Sequence, residues 1–410
     1  MMQNHLSISA LPKSLWFSTL YSSIAKFAFH RIRASGAPLP EHGPVLYVCL
    51  HRNGALDGIV YREITPRVKA TLSSQLRRST WMRMIFDGIE LVREQDRERD
   101  GLRINNEESF AKCVDHLAQG GELLFFPEGT SELGPRHLKF RAGVAQLILA
   151  TLEKLPMLKV IPLAAHYEAP TEWQSDVDVE VGATITFSGK PRTIEIMRAL
   201  TVALEAVGLD CTTLDERAAV EAMAYAATLG QKDIGYAQAL HALRDLPAED
   251  LKILQVAARL DGLRFHQGIP LVPTRSAALY AALWLMLTPL VGAAAILNLP
   301  IVAAARWAAG RFADGPNVIS MWRALSGTAT AYLWIPVMTV TSFSLFGTTL
   351  AMAYVVVSWL GLRSLYRWKK LSVAVWNTMK MSPARSQQLL ALHETIVSEA
   401  KARFAGARNK

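Results

Sequence analysis

Cysteine and charge are both scarce in this chain. Its 410 residues include three cysteines, Cys49, Cys113 and Cys211, which lie far apart and form no Cys-x-x-Cys pair. A disulfide framework and a thiolate metal site are therefore not expected, and a reducing compartment is the default. Charged residues make up 19% of the chain, against roughly 25% in soluble globular proteins. With 51% hydrophobic residues and a mean hydropathy of +0.18, the composition predicts membrane association.

The charge that is present is mainly basic. Lys and Arg number 44 against 35 Asp and Glu, which gives a formal net charge of +9. This excess predicts an anionic partner such as a phosphate-bearing substrate or anionic lipid. No module with interleaved aromatic and basic residues is recognisable, so a nucleic-acid partner is not expected. No HExxH motif is present, and no metal site is expected.

Two long uncharged runs lie towards the C-terminus, at residues 276–305 and 324–362. A membrane-spanning helix needs about 20 residues, so the first run fits one tilted span and the second fits two helices or a hairpin. Basic residues flank each run, which favours hairpins that return to the same face of the membrane. The alternative is that these runs are buried core helices of a large soluble fold.

The N-terminal residues 1–42 are predicted to form an amphipathic helix. Between residues 14 and 33, apolar side chains recur at helical spacing, with Lys26, Arg31 and Arg33 at polar positions. Such a helix either lies on anionic lipid or packs against the domain behind it. No signal peptide is recognisable, so the domain that follows this helix is expected on the cytoplasmic face of a membrane.

Short β-rich runs alternate with helical stretches in the next part of the chain. This pattern predicts an α/β domain with a mostly parallel sheet flanked by helices. The strand candidates are residues 45–50, 68–72, 89–92, 123–126, 160–165 and 177–187. The whole chain is divided into the N-terminal helix at 1–42, the α/β domain at 43–191, a helical region without strand signals at 192–270, membrane-embedded helices or hairpins at 271–370 and a C-terminal amphipathic helix at 371–410.

Polar clusters follow several of the predicted strands, where parallel sheets gather their ligands. After the first strand, His51 is followed by Asp57 at a strand-to-helix turn. A neutral imidazole can accept a proton from an alcohol while a carboxylate fixes its tautomer, so this pair could activate a hydroxyl. Cys49 is an alternative nucleophile, although no second histidine is placed to activate it.

Three further clusters accompany this pair. Phe-Pro-Glu-Gly-Thr at residues 126–130 places a carboxylate, a glycine and a hydroxyl at a strand exit. Arg93 leaves a strand end and could bind a phosphate or carboxylate. Pro162 lies in an apolar strand, where a proline belongs at an edge or a substrate wall. Two cations, Lys139 and Arg141, follow the Phe-Pro-Glu-Gly-Thr cluster and are either phosphate contacts or a solvated basic face.

In chain order, these four motifs resemble those of the glycerophospholipid acyltransferase family, over about residues 43–167. Most of that family places four residues between His and Asp, whereas His51 and Asp57 have five between them. The longer spacing resembles glycerol-3-phosphate acyltransferases of fungal type. The Phe-Pro-Glu-Gly-Thr motif is more similar to that of lysophosphatidate acyltransferases, so both acceptors remain open.

The resemblance implies a role for each matching residue. His51 would be the general base and Asp57 would orient it. Arg93 would bind the acceptor phosphate, and Glu128 with Gly129 would shape the same pocket. Apart from the resemblance, the hydroxyl of Thr130 or Ser131 could donate to a phosphate. Pro162 would help to line the acyl side.

The function expected from this resemblance is acyl transfer from a thioester to a hydroxyl of glycerol 3-phosphate in phospholipid biosynthesis. The alternatives are a lysophosphatidate or other lysolipid acyltransferase, and a non-catalytic membrane-hairpin protein built on an inactive acyltransferase fold. No cofactor is expected beyond the co-substrate, acyl-CoA or an acyl-carrier protein. The expected partners are membrane lipid, the thioester donor and the glycerol phosphate or lysolipid acceptor, while the oligomeric state is not predicted.

Overall fold

The computed structural model describes residues 11–77, 79–92, 106–274 and 276–408. Arg93 lies outside these ranges, and so do the first ten residues of the predicted N-terminal segment.

The centre of the molecule is a seven-stranded sheet, with strand order β1-β7-β6-β2-β5-β3-β4. All neighbouring strands run parallel except β6 and β7, which are antiparallel, so the predicted mostly parallel α/β sheet is confirmed. The strands are β1 (Phe29–Gly36), β2 (Val45–Cys49), β3 (Lys69–Ser73), β4 (Ile89–Leu91), β5 (Glu122–Phe125), β6 (Lys159–Tyr167) and β7 (Ser175–Val181).

Helices cover both faces of this sheet. They are α1 (Leu11–Ala28), α2 (Ala55–Ile64), α3 (Thr80–Ile85), α4 (Asn106–Ala118), α5 (Gly143–Lys154) and, after the sheet, α6 (Thr193–Val207). Alternate residues of β2 enter opposite cores: Tyr47 and Cys49 pack towards α1 and α2, whereas Leu46 and Val48 pack towards α5 and α6. This alternation explains why β2 is buried on both sides and reads as a continuous apolar run.

The prediction that residues 14–33 are all helical is wrong at its C-terminal end. The helix α1 ends at Ala28, and β1 follows directly and pairs in parallel with β7. Arg31 and Arg33, which were assigned to the polar face of a helix, form ion pairs with Asp176 and Asp178 of β7 at 2.6 and 2.7 Å. These pairs and the backbone pairing favour the strand.

The second half of α1 packs on the domain behind it. Leu20, Tyr21 and Ile24 are buried in the core, whereas Leu15 and Trp16 near the start of the helix are exposed. Of the two alternatives for this helix, packing on the domain therefore holds for the part around Ile24.

The region after α6 is mainly helical and has a core of its own. Its helices are α7 (Leu214–Thr228), α8 (Tyr236–Leu243) and α9 (Glu249–Leu260). A two-stranded antiparallel hairpin follows, β8 (Phe265–His266) with β9 (Ile269–Pro270), so the prediction that this region has no strand is wrong at these four residues. Each strand is only two residues long, which is too short to give an alternation that can be recognised in the sequence.

The C-terminal part consists of α10 (Ala277–Leu297), α11 (Leu299–Phe312), α12 (Pro316–Phe346), α13 (Thr348–Lys380) and α14 (Pro383–Arg408). In the described residues, α10, α12 and α13 are long and apolar enough to cross a membrane. The 324–362 run is divided at Gly347, whose φ of +79° favours glycine, so α12 and α13 form the predicted hairpin. Pro289 and Pro336 lie inside α10 and α12.

Candidate active site

The strand β2 delivers His51 to the carboxyl edge of the sheet, beside the end of β5. His51 lies two positions after the last residue of the strand, and the chain then turns at Gly54 into α2. His51 Nδ1 lies 2.9 Å from Asp57 Oδ2, so the two residues that the sequence pairs are in contact. Because Asp57 is in the first turn of α2, the tight turn brings its carboxylate back onto the imidazole.

The Asp57 carboxylate is completely buried and held by several donors. Its Oδ2 also accepts from the backbone amides of Arg52 at 2.6 Å and Asn53 at 2.8 Å. Its Oδ1 accepts from the hydroxyl of Tyr167, at the end of β6. Because a carboxylate oxygen accepts hydrogen bonds, this contact fixes the proton of His51 on Nδ1. The lone pair of Nε2 is then available to accept a proton.

The imidazole is packed on one face and partly open. The ring of Phe126 stacks on it with centroids 4.3 Å apart and an angle of 29° between the planes. The His51 side chain retains 17% exposure, whereas that of Asp57 has none. The ring is therefore held in position while an incoming group can still reach it.

Glu128 ties the loop after β5 to the loop that carries His51. Its Oε1 accepts from the backbone amide of His51 at 2.7 Å, and its Oε2 accepts from the amide of Leu138 at 3.0 Å. Burial raises the pKa of Glu128, and these two hydrogen bonds partly offset that rise. Glu128 thus contacts the backbone of the base and not its ring, which makes it a positioning residue.

The buried Arg52 joins the same two loops. Its guanidinium donates to the carbonyl of Gly134 at 2.8 Å and more weakly to that of Arg136. Burial lowers the pKa of Arg52 to about 10, so the group remains charged at neutral pH. The loop from residue 131 to 138 is therefore anchored at Glu128 and at Arg52.

The remaining predicted contacts lie around this loop. Gly129 has a φ of +73°, and a Cβ placed there would lie 3.3 Å from Nε of Arg141, so the guanidinium of Arg141 lies directly over Gly129. Thr130 is half-buried on the same turn, and Lys139 and Arg141 are exposed. Gly129, Thr130 and Arg141 are thus brought close to Glu128, while the role of Arg93 stays a prediction.

Pro162 is not at the edge of the sheet. It lies in β6, between β2 and β7, where it is aligned with Val48 and is buried. Proline has no amide hydrogen to donate, and this is tolerated because the nitrogen of Pro162 faces the end of β7. At this point Gly182, the residue after β7, donates its amide to the Pro162 carbonyl at 2.9 Å. A Cβ on Gly182 would lie 2.5 Å from the proline ring and 2.9 Å from Val207, which places the ring in the layer under α6.

Cys49 is unsuited to act as a nucleophile. Its side chain is completely buried in the core between the sheet and α2. Burial raises the pKa of its thiol well above the usual value, and the nearby Asp57 adds to the rise. A thiolate at this position is therefore strongly disfavoured.

The turn at Gly54 supplies fewer free amides than its sequence suggests. The amides of Arg52 and Asn53 are already bound to Asp57. Among the described residues, no acceptor is bonded to the amides of Gly54 and Ala55, at the start of α2. These two amides are therefore available to donate to a bound group.

Several contacts of the site could not be predicted from motifs. Tyr167 is 110 positions from its partner Asp57, and Phe126 stacks on His51 across two strands. The start of α12 also reaches the site, because Asn317 Nδ2 donates to both the carbonyl and the hydroxyl of Ser131 at 2.8 Å. The sequence does indicate that Phe126 lies near the site, because it directly precedes Pro-Glu-Gly at the end of an apolar strand.

One cluster outside the site has the donors of a metal site. His166, Glu180 and His241 place one ligand atom each within 4.8 Å of one another. His241 Nε2 lies 2.7 Å from Glu180 Oε2, and His166 Nε2 lies 2.9 Å from the carbonyl of Val207. The donors already have protein partners, so the cluster is accounted for as a hydrogen-bonded link between the sheet and α8.

The part of the chain that contains the site is similar to known proteins. The acyltransferase family model matches residues 31–166. Glycerol-3-phosphate O-acyltransferase 2 of Saccharomyces cerevisiae is 33% identical over 104 residues, which are 25% of this chain and 14% of that protein. The match thus spans about a seventh of the yeast protein's length.

A solved structure is also similar. The crystal structure of the 1-acyl-sn-glycerophosphate (LPA) acyltransferase PlsC from Thermotoga maritima aligns with a TM-score of 0.35 and 13% identity. The alignment covers 49% of this chain and 82% of that one.

Proposed function

We propose that the protein is a glycerophospholipid acyltransferase, an O-acyltransferase that moves a fatty acyl group from a thioester to a hydroxyl of glycerol 3-phosphate. The acyltransferase family model matches residues 31–166, and 104 residues are 33% identical to a yeast glycerol-3-phosphate O-acyltransferase. The observation that carries this proposal is the hydrogen bond between His51 Nδ1 and the fully buried Asp57, which leaves Nε2 of a partly exposed side chain free to accept a proton. An alcohol placed at Nε2 would meet a base of fixed tautomer and fixed orientation.

The reaction follows from these parts. The acceptor oxygen attacks the thioester carbonyl carbon as its proton moves to His51 Nε2, and the imidazolium that forms is stabilised by Asp57. The amides of Gly54 and Ala55 at the start of α2 are the proposed donors to the tetrahedral oxyanion. The intermediate then collapses with cleavage of the carbon–sulfur bond, and His51 returns the proton to the departing thiolate. No acyl-enzyme is required, in keeping with the buried thiol of Cys49.

Glycerol 3-phosphate is favoured as acceptor by two observations. The curated relative with 33% identity is a glycerol-3-phosphate acyltransferase. The five-residue spacing between His51 and Asp57 also resembles that branch of the family. In this proposal Arg93 binds the acceptor phosphate, and Arg141, whose guanidinium lies over Gly129, is a second candidate cation. Lysophosphatidate is the alternative acceptor.

The membrane is the proposed location of the reaction. The start of α12 contacts the loop after β5 through Asn317, so one of the helices long enough to cross a membrane begins at the site. A lipid product formed there would leave directly into the bilayer. We propose that this α/β domain faces the cytoplasm, with acyl-CoA or an acyl-carrier protein as donor.

The test is lipid product formation by the purified full chain in detergent. A long-chain acyl thioester is offered with glycerol 3-phosphate and with lysophosphatidate in parallel reactions. Lysophosphatidate formed from glycerol 3-phosphate supports the proposal, and phosphatidate formed only from the lysolipid moves the enzyme to the second acylation. No product in either reaction favours the non-catalytic membrane-hairpin alternative.

The role of His51 is tested in the same assay. Replacing a general base should lower the rate by about a hundredfold or more, so we expect His51→Ala to lose activity to at least this extent. The matched control is His42→Ala, because His42 is exposed on the loop before β2. Full activity in His51→Ala would exclude the mechanism.

A further inference from the structure

A large cavity lies apart from His51 and its partners. It has a volume of about 930 Å³ and lies between α1, the loop at residues 171–173 and the C-terminal helices α10 to α13. None of His51, Asp57 and Glu128 lines it. Its size is within the range of small-molecule sites, about 300–1,000 Å³.

Cations from four helices line this cavity around the 171–173 loop. They are Lys26, Arg306, Arg323 and Lys369, and Glu172 is the acidic residue among the lining. Lys369 is paired with Glu172, and Arg323 donates to the carbonyl of Thr171. In the described part of the chain, the side chains of Lys26 and Arg306 have no hydrogen bond or ion pair; both residues are exposed, and Lys26 lies near the carboxylate of Glu63. The excess of positive charge indicates an anionic ligand.

Three buried polar atoms in the same wall also lack a partner among the described residues. They are Trp173 Nε1, Arg323 Nε and Thr328 Oγ1, and Thr328 as a whole is only 5% exposed. Buried polar groups in folded proteins nearly always have a hydrogen-bond partner. These atoms have almost no accessible surface, so a ligand in the cavity would reach them only if the side chains of this wall rearranged.

The rest of the cavity is apolar. Its lining includes Val291, Ile301, Ile335, Val355 and Leu362. Asn298 also lines this part, but its side chain is already hydrogen-bonded to Ser358, to Tyr354 and to a backbone carbonyl. It therefore needs no hydrogen bond from a ligand.

The length of the cavity fits one lipid chain. Along α12 it extends from Arg323 to Pro336, which is about 20 Å at 1.5 Å per residue. One leaflet of a bilayer has a hydrocarbon thickness of about 15 Å, half of the roughly 30 Å core. A charged end and an apolar path of this length together fit a head group with one acyl chain.

We propose that this cavity binds a single-chain lipid with a phosphate monoester head group, of the lysophosphatidate class. The phosphate lies at Lys26, Arg306 and Arg323, and the chain runs along α12 towards Pro336. A phosphate monoester carries nearly two negative charges at neutral pH, which suits several cations better than a singly charged diester. The site is distinct from the catalytic pocket, and the inference holds whether the lipid is product or acceptor.

The cavity wall is connected to the catalytic loop. The carbonyl of Pro170 accepts from Asn53 Nδ2 at 3.1 Å and from the hydroxyl of Ser320. The next residue, Thr171, binds Arg323 in the cavity wall. The bound lipid would therefore lie one loop away from the turn that holds His51.

The experiment measures lipid binding to the full chain in detergent by native mass spectrometry, with no acyl donor present. Because no turnover is involved, the outcome does not depend on the proposed activity. The probes are lysophosphatidate, phosphatidate and lysophosphatidylcholine. Arg306→Gln removes one cation from the site, and Arg311→Gln is the matched control, since Arg311 is exposed on the same helix outside the cavity.

We expect lysophosphatidate to bind more tightly than either other lipid, and Arg306→Gln to weaken it by about tenfold. Arg311→Gln should leave binding unchanged. Ala331→Trp should fill the apolar part and abolish binding, while Val340→Trp on the outer face of α12 should not. Lysophosphatidate with a diazirine in its chain should label peptides of α12 and α13.

Equal binding in Arg306→Gln and Arg311→Gln would overturn the phosphate assignment. Equal binding of phosphatidate would overturn the single-chain assignment. Labelling confined to peptides around His51 would show that the lipid occupies the catalytic pocket alone.

Discussion

The two oxygens of Asp57 have separate partners, and the orientation of His51 depends on both. Oδ2 accepts from the ring and from two amides, while Oδ1 accepts from Tyr167. In Asp57→Asn one oxygen becomes an NH₂ group that cannot accept, so either the ring or the turn loses its partner. We expect kcat to fall by about a hundredfold to ten-thousandfold with little change in KM, measured by steady-state acyl transfer.

Tyr167→Phe is the matched control for this change. It removes only the donor to Oδ1 and keeps the ring in the core, so we expect a loss of about tenfold or less. If Asp57→Asn and Tyr167→Phe lowered kcat equally, Oδ2 would not be the oxygen that fixes the tautomer of His51.

At this scale, the sequence predicts the contacts that are local. His51 and Asp57 are six positions apart, and one strand-to-helix turn suffices to join them. Tyr167 and Phe126 reach the same pair only through the order of strands in the sheet, which no local pattern encodes. Pro162 was misplaced for a similar reason, because its surroundings depend on where the distant strand β7 ends.

Among the elements, the turn into α2 is the one most sensitive to a backbone change. Gly54 has φ +55° and ψ −147°, and a Cβ there would lie 3.1 Å from the carbonyl oxygen of Asn317 and 3.2 Å from Val318. We expect Gly54→Ala to reduce the free energy of unfolding by about 1–3 kcal/mol and to lower kcat, because this turn positions the amides that bind Asp57. Chemical denaturation and the acyl-transfer assay measure the two effects.

Gly58→Ala is the control in the same helix. A Cβ at Gly58 meets nothing within 4 Å, so alanine should raise stability by up to about 1 kcal/mol. If Gly54→Ala and Gly58→Ala changed the free energy of unfolding equally, the backbone strain would not be located at the Gly54 turn.

The link between β7 and α8 should respond to acid. Burial alone would raise the pKa of Glu180, but hydrogen bonds and charges from His166 and His241 outweigh this and lower it to about 2. An acid whose folded pKa is lowered stabilises the fold above its unfolded pKa of about 4.3, and this stability is lost as the pH falls towards 2. We expect Glu180→Gln to have a shallower fall in thermal midpoint between about pH 5 and 3 than the unmodified chain, measured by circular dichroism.

The outcome for Glu180→Gln is compared with Glu153→Gln on the exposed surface of α5. This second variant should keep the slope of the unmodified chain. Parallel slopes in all three proteins would mean that Glu180 does not contribute to the acid sensitivity.

The elements that are not predicted correctly from the sequence are those whose pairing partners are distant along the chain. β1 follows a helix without a break, and its sequence, Phe-His-Arg-Ile-Arg-Ala-Ser-Gly, has no clear apolar alternation. What makes it a strand is pairing with β7 and the ion pairs to Asp176 and Asp178, about 145 positions away. The strands β2 to β7 lie at the predicted apolar runs, although β7 ends at Val181, before the predicted end at residue 187.

For the whole molecule, the sequence predicts the membrane part best, because the length of an apolar run is a local property. The 324–362 run predicts two helices or a hairpin. In the structure α12 and α13 occupy this run and meet at Gly347. What the sequence could not give is that the start of α12 contacts the loop beside the active site through Asn317 and Ser131. The helices long enough to cross a membrane and the α/β domain are therefore physically joined at the candidate site.

The far half of this hairpin should hold the protein in the bilayer. Val340, Phe343, Leu345 and Phe346 are all more than half exposed near the tip of α12, and no catalytic residue lies there. A charged side chain within a membrane helix costs about 2.5–3.5 kcal/mol on insertion scales, so two should largely prevent insertion of the tip. We expect Val340→Asp combined with Phe343→Asp to reduce the membrane-bound fraction in a flotation assay, whereas Val340→Leu with Phe343→Leu should float like the unmodified chain. Undiminished flotation of the aspartate variant would show that α12 lies against protein or water instead of lipid.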